Sequence, residues 1–394
     1  MAARYLVPGG DGNYDSTTNW AATSGGSSGA SFPLTGDDVI IDANSLNAPL
    51  NINVVSACRS FVCSAYTGIV SMLSNLTVTG SSITGHITLS PGMTISGVGT
   101  FAKSQPGGGA SIITSNGVIF DCPFSFITAG LGFVTITGNM EVMNNLTFPT
   151  STTTNITINL GTIKVHGDVI HNCPVNGTAN IELVGLTSAT ITQVPTRYLS
   201  TNLTINKGAG AWNQVDLYWG NSAKTLTYTS GVVNHTGILF AASACFLNTN
   251  GMFWNTIRCV SFLSFTSICF ANKIEHPAGI NITFGGTFGF NVNEFNMIGS
   301  NGGFITIASG KTYTINNSII ATSATTNLIF IRCTSGANAI IQLKENAYMK
   351  LIRVNFQRIT ASNKTLRGVR STVDSFSKNV FNLSSNLNPY STTR

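Results

Sequence analysis

Asn75-Leu-Thr-Val-Thr-Gly80 and Asn202-Leu-Thr-Ile-Asn-Lys207 share one pattern. Each alternates an apolar side chain with Thr or Asn, which sets one face of an extended segment against a core and the other in water. Segments of this size recur along nearly the whole chain, among them Leu50–Val54, Met93–Ser96, Phe133–Thr137, Ile156–Leu160, Ile181–Val184, Leu226–Thr229 and Ile280–Phe284. Each is closed by Gly, Asn, Ser or Thr. From Phe133 to Leu226 their starts fall roughly 22 to 25 residues apart, the range of one coil of a solenoid. Asn-Gly pairs at Asn116, Asn176, Asn250 and Asn301 are too sparse for a chain built from hairpins. The expectation is an all-β chain, a parallel β-helix (β-solenoid) with an irregular N-terminal cap. β-Sandwiches in series are the alternative.

Composition fits a stack. Only 9% of the 394 residues are charged, against about 25% in an ordinary domain, while 43% are hydrophobic. Gly, Ser, Thr and Asn take the surface places that Lys and Glu usually fill. Stacked like charges repel, whereas stacked Asn or Thr share hydrogen bonds. No uninterrupted apolar run approaches the roughly 18 residues that span a bilayer, and the first ten residues lack the apolar core of a secretion signal. Eight cysteines are scattered without a CxxC pair, most in apolar contexts such as Ile268-Cys269-Phe270. They read as small, reduced core residues of a chain made in a reducing cytosol.

Four sections follow. Residues 1–38 are Gly/Ser/Thr-rich and read as a cap and attachment module, because a solenoid end exposes unpaired backbone. Residues 39–240 form the body. The stretch Gly208 to Gly220 breaks the alternation and reads as a loop or a wider coil. Residues 241–352 are a second β-rich section, richer at first in Phe, Cys and Trp. Residues 353–394 read as a basic docking segment, with Ser371–Lys378 as a short helix or an extended arm. From Ile340 onward nine basic residues face only Glu345 and Asp374, a net +7, so the preceding residues sum to −1.

The opening carries Tyr5, Gly9-Gly10, Gly12-Asn13, Asn19-Trp20, Thr23-Ser24-Gly25-Gly26, Pro33, Asp37-Asp38-Val39 and Asp42-Ala43-Asn44-Ser45. This pattern resembles the start of bacteriophage virion structural proteins of the tail or fibre type. Gly85-His-Ile-Thr-Leu-Ser-Pro-Gly-Met-Thr-Ile-Ser-Gly97 adds to the likeness. The resemblance covers about 100 residues. It implies a non-enzymatic virion component with a β-helical body, made in the bacterial host cytoplasm.

Candidate chemistry is thin. Asp37, Asp38 and Asp42 are the one tight acidic cluster. A calcium ion or a carbohydrate-cleaving pair is one reading, and Asp caps on a turn and strand start are the other. His166 and His171 fall on opposite faces of a continuous strand, which argues against joint metal ligation. No metal, cofactor or catalytic set is expected. Trp212, Tyr218, Trp219 and Trp254 are the best candidates for contact with a glycan or a neighbouring subunit, set against plain core packing. Lys350, Arg353, Arg358, Lys364, Arg367 and Arg370 are the candidates for docking on a virion partner, set against a solvated basic face. The partners expected are other virion proteins and further copies of the chain, a trimer being one arrangement. A host-surface glycan is the alternative, and neither membrane nor nucleic acid is expected. The function expected is a fibre, spike or decoration protein acting by assembly. Its rivals are a glycan-binding adhesin and a polysaccharide-degrading tailspike.

Overall fold

Period-2 alternation with every second or third strand returning to the same place gives parallel pairing. The computed structural model describes residues 2–383 apart from 81–85, 106–108, 129–132, 149–154, 221–222, 243, 250, 277–280, 300–302, 324–328, 335, 363–365, 370–371, 374–376 and 378–379. It is a parallel β-solenoid of about 12 turns, and no α-helix occurs among the described residues. Contacts divide the chain into two units. One is Met1–Trp212 with Ser230–Val232, and the other is Asn213–Thr229 with Val233–Arg394.

In the first unit each coil contributes strands to three faces. One face is the parallel run Ser56–Cys58, Leu76–Val78, Phe101–Gln105, Phe124–Thr128, Leu146–Phe148, Val169–His171 and Ile191–Gln193. On a second face Val70, Ile95, Phe120, Val142, Val165, Leu183 and Ile205 lie beside one another in register. All seven are 0% exposed. Each such side chain contributes about 1.5–3 kcal/mol of burial, so a column of them is the main source of stability. Phe101, Phe120, Phe124 and Phe126 fill the centre with ring centroids 5.0 to 6.0 Å apart. The corners are tied from coil to coil. Asn75 Oδ1 accepts the Thr100 N–H at 2.8 Å, Asn145 Oδ1 that of Asp168 at 2.9 Å, and Asp168 Oδ1 that of Thr190 at 2.8 Å.

The N-terminal module closes this unit. Ala3–Leu6 pairs in parallel with Asp38–Ile41 and antiparallel with Trp20–Ala21. Trp20 and Tyr14 pack edge to face at 5.5 Å, 0% and 1% exposed, and Trp20 Nε1 donates to the Tyr14 carbonyl at 2.8 Å. Asn19 holds the preceding loop. Its Oδ1 accepts the Gly12 N–H at 3.0 Å, while Nδ2 donates to Asp11 Oδ1 and the Asn13 carbonyl at 2.7 and 2.6 Å.

The second unit uses the same three-faced coil with a changing circumference. Leu217, Leu239, Ile257, Ile274, Phe295 and Ile319 form its inward column. Partners on successive coils are 17 residues apart at Arg258 and Glu275, 18 at Thr249 and Ser267, 23 at Asn281 and Phe304, and 28 at Thr314 and Gln342. Phe265, Phe284, Phe290, Phe295 and Tyr313 occupy its centre. One corner is an amide ladder. Asn293 Nδ2 donates to Asn272 Oδ1 at 3.1 Å, and Asn316 Nδ2 donates to Asn293 Oδ1 at 3.2 Å.

Two sequence expectations change. Leu199–Gln214 is one 16-residue strand, so the part of the Gly208 to Gly220 stretch up to Gln214 is extended backbone rather than a loop. The basic C-terminal stretch is also strand: Val354–Gln357, Ile359–Ser362, Leu366–Val369, Thr372–Val373 and Val380–Leu383 each pair in parallel with an earlier or later coil. The helix considered at Ser371–Lys378 meets strand at Thr372–Val373, and 374–376 and 378 lie outside the described residues.

Candidate interaction surfaces

Alternation decides the fate of the aromatic candidates. Trp212, Trp219 and Trp254 occupy inward positions and are 0% exposed, so in the folded chain they meet neither a glycan nor a subunit. They are core residues. Of the two alternatives, contact with a partner and plain core packing, these three take the second, because each stands in a strand with its side chain inward. Tyr218, between two buried neighbours, is the one of the four on an outward face.

Tyr218 begins a column that runs Tyr218, Phe240, Arg258, Glu275 in register. Its ring stacks on Phe240 at 4.2 Å with 3° between planes, and Arg258 lies over Phe240 at 5.1 Å. Arg258 Nε donates to Glu275 Oε1 at 2.7 Å, and Lys273 Nζ approaches Oε2 at 2.9 Å. Burial tends to raise the Glu275 carboxyl, but the hydrogen bonds and charges of Lys273 and Arg258 outweigh it and hold the group below its ordinary value. Ring faces here are covered by one another and by the guanidinium, and the guanidinium is neutralised.

A second outward ladder was not singled out from sequence. Phe304 stacks on Phe330 at 4.8 Å, and Arg332 lies over Phe304 at 4.5 Å with Nε donating to Thr306 Oγ1 at 3.1 Å. Thr306, Arg332 and Gln357 stand side by side in register. Its signal was present: Phe330 and Arg332 are two apart in Ile329–Cys333, hence on one face, as are Phe304 and Thr306 in Gly303–Ile307.

Of the basic candidates, Lys350, Arg353 and Arg358 are half-buried. Arg353 and Arg358 each form a one-residue corner with φ of 57°, and their carbonyls accept the N–H groups of Ile329 and Ala339 at 3.0 and 3.2 Å. Left-handed backbone costs an L-residue roughly 1–2 kcal/mol, so these corners are held by the pairing around them. Arg367 lies in Leu366–Val369, opposite Phe381. Lys364 and Arg370 lie outside the described residues.

The acidic cluster is a set of caps. Asp37 accepts the Ala2 and Leu34 N–H groups, Asp38 pairs with Arg59 and Ser60, and Asp42 caps the short turn Ala43–Ser45. His166 Nε2 lies 2.7 Å from Glu141 Oε1, while His171 is 0% exposed between Gln193 and the Cys173 carbonyl. Burial pushes the His171 pKa down. The two histidines share no ligand position, and among the described residues no three His, Cys, Asp or Glu side chains are grouped to hold a metal. All eight cysteines are buried and unbridged. In comparisons with known proteins, no family model, curated protein or solved structure matched the chain.

Proposed function

We propose that the chain is a structural component of a bacteriophage virion, a fibre, spike or decoration protein that acts by assembly and attachment. The observation that carries this reading is the architecture of the opening module. The residues that give the phage-like pattern, Asn19-Trp20 and the Asp37 to Ser45 stretch among them, tie the module's own loops together, and the module meets the strand Leu50–Ile52 through backbone bonds of Gly12 and Tyr14 to Asn51. Their use as a closure suits a β-solenoid built to carry neighbours. Asp38, Glu275 and Asp168 serve caps, ladders and corners, which also favours a mechanical role. Its partners in this reading are other virion proteins and further copies of itself. Immunogold labelling of purified particles, with antibody raised to this chain, tests it. Particles that stain at one morphological site support the proposal, and particles free of the chain by mass spectrometry overturn it.

A specific observation favours a second reading, a host-glycan-binding adhesin. The Phe304, Phe330 and Arg332 ladder presents aromatic and cationic groups on an outward face.

A further inference from the structure

The second unit holds two ladders in which a guanidinium lies over a phenylalanine ring, and they differ in what neutralises the charge. Arg258 is met by Glu275. Arg332 is exposed, and its contacts are Thr306 through Nε and the Phe304 face. Those two contacts fix the guanidinium plane and leave both Nη groups without an acceptor among the described residues. The Gln357 side chain, half-buried beside Arg332, also donates to none of them.

We propose that this face binds the carboxylate of an acidic sugar, a uronic or sialic acid unit of a host-surface glycan. A guanidinium with its plane fixed is prepared for two parallel N–H donations to a carboxylate, and little side-chain freedom is lost on binding. The surroundings favour sugar over an acidic peptide. Along the register the column reads Thr283, Thr306, Arg332, Gln357, one cation among hydroxyl and amide groups, with the half-buried Phe304 and Phe330 rings in the next column. A sugar with one charge and several hydroxyls per unit matches that order, and its C–H edges match the ring edges. A run of Asp or Glu would call for a run of cations.

This inference deepens the adhesin reading and is independent of virion membership, since binding is measured on the purified full-length chain. The probes are polygalacturonate, hyaluronan and polysialic acid, with dextran, dextran sulfate and poly-glutamate as comparators, read by biolayer interferometry. At least one carboxylated glycan binds, with affinity falling as salt rises, and dextran does not. Arg332→Gln weakens that binding about tenfold to a hundredfold with an unchanged circular dichroism spectrum, Arg332→Lys restores part of it, and Arg258→Gln leaves it unaltered. Binding of none of the three glycans overturns the inference. So does wild-type affinity in Arg332→Gln, or a preference for poly-glutamate or dextran sulfate. Failure of particles to stain bears on the virion reading alone.

Discussion

The two units solve the same stacking problem with different cores. In the first, corner bonds such as those of Asn75, Asn145 and Asp168 repeat 22 to 25 residues apart, and coil partners as a whole range from 18 at Leu160 and Thr178 to 27 at Asn116 and Leu89. In the second, the separation drops to 17 and then climbs to 28. In the first unit aliphatic columns such as Val142, Val165 and Leu183 flank a centre of phenylalanine rings, Phe101, Phe120, Phe124 and Phe126. In the second, tryptophan joins the rings: Trp219 and Trp254 in the early coils, then Phe284, Phe290, Phe295 and Tyr313. Coil length varies in both units, and bulky inward residues fill the cross-section in both.

The sharpest way to break this comparison is to empty the tryptophan core. Trp219→Ala and Trp254→Ala each lower unfolding free energy by about 3–5 kcal/mol, whereas Val165→Ala in the aliphatic column costs about 2–3 kcal/mol. Denaturant titration measures both, and a loss under 1 kcal/mol for either tryptophan would contradict its placement in the core.

Next come two buried bases whose responses to pH share a sign but fall in different windows, one in each unit. In the second unit burial pushes His235 down to about 4, against a weaker pull from Asp216, and Nδ1 accepts the Asn255 N–H at 3.2 Å. The unfolded chain takes up this proton from about pH 6.5 and the folded one only near 4. Stability is complete above 6.5 and falls by about 3 kcal/mol on descending through that window. In the first unit burial pushes Lys103 down to about 8, its ammonium donating to the Gly80 carbonyl at 2.8 Å. Between pH 8 and the ordinary lysine value of 10.5 the unfolded chain holds the proton and the folded one releases it, so stability rises with pH by up to about 3 kcal/mol. Hydrogen exchange read strand by strand separates the two, and His235→Gln and Lys103→Met each flatten one slope. A slope that persists in its own variant assigns the titration elsewhere.

Corner amides give a smaller effect. Asn293→Ala in the second unit and Asn145→Ala in the first each cost about 1–2 kcal/mol, because a buried or half-buried partner loses its hydrogen bond. Equal costs would show that corners are equivalent in the two units even though their cores are not. The smallest change expected is Arg258→Gln, about 0.5 kcal/mol, since that ion pair is partly open to water.

Most of the architecture was legible because period-2 alternation and its recurrence need only nearest neighbours in sequence. Leu76, Val78, Leu203 and Ile205 face inward as their pattern requires. What escaped depends on neighbours one coil away. Gly208, Gly210 and Gly220 read as breakers, yet a Cβ on Gly210 would sit 2.7 Å from the Leu186 carbonyl oxygen, so glycine is what lets the strand pass. Trp212 follows on the same strand and points inward. The Arg332 ladder depends on Thr306, 26 positions earlier in sequence, and on the Phe304 ring beside it. No local window holds that contact.

The antiparallel pairing of Trp20–Ala21 on Ala3–Leu6 has a bearing on how copies assemble. A bare parallel edge is a template on which another chain can add strand by strand, the route to runaway fibrils. Here that first edge is occupied by a short segment running the opposite way, with two rings plugging the apolar interior behind it. Strand-by-strand addition at that edge is thereby blocked from within the same chain, and ordered growth on this face has to begin elsewhere.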